Sequence, residues 1–516
     1  MRKLVQTIQF LLIGGVAFAQ PVLQWENRFD FQGGIDIPYK MNVASNGDAY
    51  IIGISDVDTF DSDILSLKIY SDGTTAWYNI IRNDAGEEPK DIVLDEEGNC
   101  YVGGYLGDVL LDTSTFVLRY NSDGSQEWID TILGSLSSLV IDGEGNINIL
   151  FGGPNIRVSK YSPLGDIFLE FKNDTSYSNH TYNPTLFEVD EDLNLYVSGY
   201  FTGSNINTAQ VFLKTFSPEG DIVVDIKYDP VADYVKPRFM QIDNSGNTYI
   251  AGWIGLYDGI FLAKFNDDGV LVWDDIILDV SGLPYDLMLD ADQNPILCGK
   301  VYEVHETTEF IIKKYDQDGN EMWVDYPGKT SAYFDKIAHL ASDASGNIYL
   351  AGSTWPVYLA EPAFLMVKYD QSGNKLWEYK ADSILSGTGD YVTGLALDED
   401  NSMIVSIRGP GVNGKNDVIT HKYAQLTGID APISTSTLLN ISPNPFHSTA
   451  TVSYSTAPLI YQESTITLFD LFGREVSTAS FHNNYQLDRT GIPNGMYLLK
   501  VVTSDGINST DKVIIY

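Results

Sequence analysis

DASGNIYLAG, residues Asp343 to Gly352, decides the fold of this chain, because the same phrase keeps returning. It recurs as DNSGNTYIAG from Asp243 and DEEGNCYVGG from Asp95. Looser copies are DGEGNINIL from Asp142, DEDLNLYVSG from Asp190, DADQNPILCG from Asp290, DEDNSMIVSI from Asp398 and ASNGDAYIIG from Ala44. The turn position is held in order by Gly47, Gly98, Gly145, Leu193, Gly246, Gln293, Gly346 and Asn401, at intervals of 47 to 55 residues. The leading Asp suits a turn because its carboxylate accepts local backbone N–H groups, and Gly or Asn tolerates the left-handed backbone that tight hairpins need. The alternation of NIYLAG has period two, so the flanks of each turn read as strands.

A second phrase sits between the copies: a cation, an aromatic, an Asp/Gly turn, then Trp. It reads KYDQDGNEMW (Lys314 to Trp323), KYDQSGNKLW (Lys368 to Trp377), KFNDDGVLVW (Lys264 to Trp273), RYNSDGSQEW (Arg119 to Trp128) and KIYSDGTTAW (Lys68 to Trp77). Leu169 and Val224 replace Trp in two copies, and the last, HKYAQLTG from His421, has no Trp after it. Each unit therefore holds two hairpins, or four strands. Four-stranded units at this interval indicate propeller blades. A helical solenoid is excluded by the missing 3.6-residue period, and a stacked β-solenoid has shorter rungs. The termini choose between the remaining options. The eighth unit lacks its Trp strand, while PVLQWENRF, with Trp25, stands alone at the start. Pairing that segment beside Lys422 and Tyr423 closes the ring and leaves no open edge. The expected fold is all-β: an eight-bladed β-propeller closed by an N-terminal strand, followed by a small C-terminal β-sandwich. The repeat resembles the beta-propeller repeat family of secreted bacterial proteins over residues 21 to about 424; the WD and GH dipeptides of WD40 repeats are absent.

Tyr50, Tyr101, Tyr196, Tyr249 and Tyr349 and the repeated Trp are expected to pack between blades. The cation before each aromatic is expected to meet a turn Asp. Cys100 and Cys298, the only cysteines, fall in the second and sixth units, four blades apart and across the axis of an eight-fold ring, and are therefore expected to be free buried thiols.

The chain carries 31 Lys and Arg against 70 acids, a formal net charge of −39. Such a surface repels phosphate backbones, which argues against nucleic acid as a partner. MRKLVQTIQFLLIGGVAFAQ at the start has a basic head, a short apolar run and Ala17-Phe18-Ala19. It reads as a secretory signal over residues 1–19. No other segment is long and apolar enough to span a bilayer, so no spanning segment is expected after signal removal.

Beyond the propeller, assigned to residues 20–424, a Ser/Thr-rich linker covers 425–436 and a small module 437–516. The module's phrases are ISPNPFHSTATVSYS, ITLFDLFGREV, LDRTGIPNGMYLLKVVTSDG and the closing KVIIY. Their alternation describes a small antiparallel sandwich. In order and spacing they resemble the type A C-terminal sorting domain of the type IX secretion pathway of Bacteroidetes, on Pro443, Asn444, Pro445, Asp470, Gly473, Arg474, Gly495, Tyr497 and Lys512. The resemblance implies export through the periplasm, the type IX machinery as a partner, removal of the module, and a product released or attached to the outer surface.

One end of each unit is a short uniform turn, whereas the connections at the other end vary, and loop variation on a rigid scaffold is where binding resides. Those connections carry Trp253, Tyr257, Asp258, Trp355, Tyr182, Asp233 and Asp390 as candidate ligand-binding residues. Aromatic plates beside carboxylates suit sugar rings, and equally suit the packing of long ordered loops. No HExxH, GxSxG, CxxC pair or Walker phrase is present, so no catalytic residue is assigned. No cofactor or metal is assigned either. The Asp316–Asn320 run looks calcium-like, but an EF-hand register puts Glu321 at position six and Pro327 at position twelve, which fits a hairpin turn instead. The functional expectation is a secreted or cell-surface propeller that binds a glycan or protein without catalysis. The alternatives are a polysaccharide- or peptide-degrading enzyme using loop carboxylates, or a purely structural surface protein.

Overall fold

A computed structural model describes residues 21–56, 62–82, 87–106, 114–153, 155–173, 181–202, 209–230, 234–255, 259–277, 281–302, 308–327, 336–354, 363–381, 391–411, 414–425, 439–442, 444, 446–454, 464–469, 475–481, 484–503 and 508–515. The chain divides into two units, Met1–Gln425 and Leu426–Tyr516. All the regular structure described is strand.

In the first unit every sheet is four-stranded and antiparallel, as blades of a propeller are. Seven are sequential meanders, over 35–81, 87–133, 135–173, 181–228, 235–277, 281–325 and 336–381. The remaining sheet joins Tyr391–Leu397, Met403–Pro410 and Asn416–Ala424 to Val22–Phe29 from the start of the chain. Trp25 lies opposite Lys422 and Leu23 opposite Tyr423, the pairing that the stray N-terminal Trp strand predicts. The first strand of each sheet packs against the first strand of the next, and Tyr391–Leu397 packs against Ile35–Val43.

The sequence phrases are the hairpin turns. Asp343 N–H donates to Asn347 O and Gly346 N–H to Asp343 O, while the Asp343 carboxylate accepts from Ser345 and Asn347 N–H. All eight turn positions have positive φ, including the non-glycines Leu193 (66°), Gln293 (61°) and Asn401 (57°). The Asp316–Asn320 run is likewise a hairpin turn, its carboxylate occupied by Asn320. The cation of the third strand folds back onto the same turn. Lys314 lies 2.6 Å from Asp290, Lys422 2.7 Å from Asp398 and Lys160 3.3 Å from Asp142. In the first sheet Asp48 replaces the missing leading Asp and receives Lys68 at 3.1 Å. The buried Tyr hydroxyl completes the cluster, with Tyr349 2.8 Å from Asp343, while Tyr50 reaches Gly98 O of the next sheet. Buried charges are tolerable here because each is paired and hydrogen-bonded.

The Trp residues join one sheet to the next. Trp323 lies on Gly373, where an added Cβ falls 2.5 Å from the indole, and its N–H donates to Gln371 O. Trp77 does the same to Gly124 and Ser122 O, and Asn79 adds a bond to Gly124 O at 2.9 Å. Trp25 and Asn27 reproduce the set on Gly73, Ser71 O and Gly73 O. By register Leu169 holds the Trp position of its sheet, opposite Lys160, but the ring on Gly220 is that of Phe171. Val224 covers Gly269. Cys100 and Cys298 are free and buried.

The second unit has two antiparallel sheets. One joins Leu439–Ser442, Thr449–Tyr454 and Asn484–Asp488. The other runs Glu475–Phe481, Ser464–Phe469, Gly495–Thr503, Asn508–Ile515. They share an apolar core that includes Phe446, Val452, Leu468, Leu499 and Val513.

The Trp-on-glycine contact makes a paired prediction. Gly373 (φ 83°) and Gly414 (φ 80°) are both left-handed, but Gly414 has open space where a Cβ would go. Gly414→Ala should cost about 1 kcal/mol from backbone strain alone. Gly373→Ala should cost roughly 1–3 kcal/mol more through overpacking of Trp323, read from urea unfolding of the two variants. Equal losses at the two positions would show that the indole contact is energetically idle.

Candidate functional site

The first strands concentrate the unusual chemistry. Pro38, Pro89, Pro184, Pro237 and Pro284 each stand immediately before a β-bulge. These are edge strands, where a residue without an N–H is tolerated and a bulge re-aims the side chains that follow. After the bulge come Lys40, Asp91 and Asp286 in their respective strands.

Asp91 is a junction of three sheets. It accepts from Lys40 of the preceding sheet, and from Ser138 Oγ and Leu139 N–H of the following one, both at 2.9 Å. Asp286 repeats the last contact, accepting Leu340 N–H at 2.9 Å and Leu287 N–H at 2.9 Å. Burial pushes the Asp286 carboxyl up to about 6, and those two N–H groups offset only part of that penalty. Glu188, on Thr181–Val189, is pushed up to about 7, chiefly by burial, with Lys40 opposing and Asp91 reinforcing the shift. His339 is pulled down to about 4 by burial and by the Arg238 charge, and its Nε2 is buried without a hydrogen bond. Asp91 and Asp286 are thus firmly engaged carboxylates, each tying its own sheet to a neighbour, and Glu188 is an acid raised toward neutrality by burial.

The ligand-binding residues expected from sequence fall differently. Tyr182 is not on a loop: it sits in Thr181–Val189, buried, its ring against Phe201 and Phe212 and beneath the Lys214 ammonium. Trp253 is half-buried near the end of Thr248–Ile254, paired opposite Lys236. Tyr257, Asp258, Trp355, Asp233 and Asp390 lie outside the described residues. In the second unit Tyr497 is buried and donates to Pro493 O at 2.8 Å. Gly495 opens its strand opposite Ile515, and Lys512 pairs with Leu498. Asn444 is exposed; Pro443, Pro445, Asp470, Gly473 and Arg474 are outside the described residues, as is the signal segment 1–19. Sequence reading missed Glu188 and the acid cluster Asp30, Asp36 and Asp417, whose carboxylate oxygens lie within 4.8 Å of one another. No local spacing signals either, since their neighbours come from different sheets.

The fold defines an all-β protein of four-stranded antiparallel, blade-like sheets with a smaller separate β unit. Residues 440–516 match the secretion system C-terminal sorting domain. This domain marks the chain for type IX secretion and attachment at the outer surface in Bacteroidetes. No helix among the described residues is long and apolar enough to cross a membrane. No curated protein matches the chain. Similar solved structures include the extracellular domain of the putative hybrid two component system BT3049 from B. thetaiotaomicron (12% identity, 93% of this chain and 68% of that one, TM-score 0.35). Others are the polysaccharide lyase Uly1 (12%, 78% and 100%, 0.40) and a protein of unknown function from Dyadobacter fermentans (10%, 80% and 100%, 0.39). Likenesses this distant carry no argument about activity.

Glu188 gives a pH prediction. Its carboxyl is raised from 4.5 to about 7 in the folded chain. The folded state therefore holds the proton more tightly, and the contribution to stability is full below pH 4.5 and lost as pH rises through about 7. Glu188→Gln should flatten the fall in melting temperature across that window and raise stability above it. An unchanged pH profile in the variant would mean that Glu188 is not held protonated.

Proposed function

We propose that residues 20–424 form an eight-bladed β-propeller closed by the N-terminal strand. Residues 1–19 act as a cleaved signal, 425–436 as a linker and 437–516 as the sorting sandwich. The eight four-stranded sheets among the described residues support this reading, as does the packing of the last first strand on the first. The mature protein then works outside the cell as a binding protein for a glycan or a protein, without chemistry of its own.

The observation that carries the binding role is the asymmetry between the two ends of the sheets. At one end every Asp or Ala turn repeats the same pair of backbone hydrogen bonds, and the leading side chains are consumed by Lys and Tyr of the same sheet. That end has little left to offer a ligand. The other end carries connections that differ in length and composition, such as GWIGLYDG from Gly252 and GSTWPVYLAEPA from Gly352. Trp253, Tyr257, Asp258, Trp355, Asp233 and Asp390 belong to that end. Tyr182 contributes there as packing rather than as a contact. Asp91 and Asp286 are occupied in joining neighbouring sheets.

The second reading, a secreted polysaccharide- or peptide-degrading enzyme, is favoured by Glu188, an acid that burial raises to about 7 and that feels the charges of Lys40 and Asp91. Loop carboxylates Asp233, Asp258 and Asp390 are its other candidates. The two separate in one experiment on the purified chain: a glycan and protein array run beside a hydrolase and lyase panel. Binding without turnover, weakened by Trp253→Ala and indifferent to Glu188→Gln, is the expected result. Turnover abolished by Glu188→Gln or by one loop Asp substitution would replace the binding role with the enzymatic one.

A further inference from the structure

Where the N-terminal strand joins the first unit, three carboxylates converge. Asp30 follows Val22–Phe29, Asp36 lies in Ile35–Val43 and Asp417 in Asn416–Ala424. One oxygen from each lies within 4.8 Å of the others. Asp36 is 0% and Asp417 1% exposed, while Asp30 faces solvent.

Proximity of acids alone would say little, because acidic groups are often held together by hydrogen bonds. Here the bonds run short. Neither oxygen of Asp417 has a hydrogen-bond partner, and one oxygen of Asp36 also lacks one. The other Asp36 oxygen accepts Phe31 N–H at 2.7 Å, and Asp30 accepts Gly33 N–H at 2.8 Å. Arg28 Nη1 lies 4.0 Å from Asp417 and donates to Pro410 O at 2.6 Å. Its Nη2 donates to Glu26 at 3.3 Å. The charge of Lys415 is felt at Asp36, and the Ser55 hydroxyl lies beside it. Asp417 is packed directly on Gly411, where a Cβ would fall 2.2 Å from its Oδ1. A buried carboxylate with no hydrogen bond costs several kcal/mol unless it is protonated or meets a cation.

We propose that Asp30, Asp36 and Asp417 bind one divalent cation of the calcium class, which fastens the N-terminal strand to its neighbours. The donors are all hard oxygens, the set such ions take. Calcium–oxygen bonds of about 2.3–2.6 Å let oxygens up to about 4.6–5.2 Å apart share one ion, so three oxygens within 4.8 Å of one another can do so, and calcium tolerates irregular ligand geometry that magnesium does not. Solvent-facing Asp30 is the entry side, and the two buried acids are the floor. The site draws on the observed strand pairing and on none of the residues named above for ligand binding.

Full-length protein stripped with EDTA should bind one calcium ion per chain by calorimetry, and its melting temperature should rise as calcium chloride is added. Asp30→Asn, at an exposed position, should fold normally and bind calcium at least about tenfold more weakly, since ligand charge sets affinity in such sites. Asp417→Asn should abolish the calcium-dependent rise. If that variant does not fold, Asp30→Asn decides alone. No binding by the unmodified chain at millimolar calcium, or unaltered affinity in Asp30→Asn, overturns the site. Magnesium binding as tight as calcium's overturns the choice of ion.

Discussion

An indole ring laid on the turn glycine of the next sheet is the contact on which the first unit depends. A four-stranded sheet of this size cannot bury both faces by itself, so each must be held against its neighbours. Trp77, Trp128, Trp273 and Trp323 do this by covering Gly124, Gly165, Gly319 and Gly373, and their N–H groups donate to a carbonyl of the same turn. Only glycine serves at the contact, because the turn is left-handed there and the ring occupies the place of a Cβ. Two weak demands, on backbone and on space, are met by one residue.

Trp25 matters because it repeats this contact from the far end of the sequence. Its ring covers Gly73 and Asn27 bonds the Gly73 carbonyl, as Trp77 and Asn79 treat Gly124. The N-terminal strand is thus a normal fourth strand displaced along the chain. It also carries Glu26, which His421 holds down to about 2 through a hydrogen bond of 3.0 Å. With Arg28 bonded to Pro410 O, this strand has polar as well as apolar ties to its adopted sheet.

The scaffold was largely legible in the sequence because each of its devices is local. The turn Asp, the left-handed position two residues before the tyrosine-bearing strand, and the Lys that returns to the turn all lie within a few residues of a recognisable phrase. Even the odd turn residues Leu193 and Gln293 were placed correctly by alignment of the repeats. Where a contact spans sheets, the sequence misleads or is silent. Leu169 looked like the eroded Trp, yet Phe171, two residues on and on the same face, took over the ring contact. Tyr182 looked like a loop aromatic but is drawn into the core by Phe201 and Phe212. Glu188, His339 and the Asp30–Asp36–Asp417 group owe their chemistry to neighbours from distant sheets, which no linear spacing encodes. The sorting domain lies at the other extreme: its phrases identify it without reference to coordinates.

Hydrogen exchange of Asn416–Ala424 in a chain lacking residues 21–30 tests the dependence on the borrowed strand most directly. Loss of protection there, spreading to the turn around Gly73 that Trp25 covers, is the result required. Protection unchanged in both places would show that the N-terminal strand is a passive addition to a unit already complete without it.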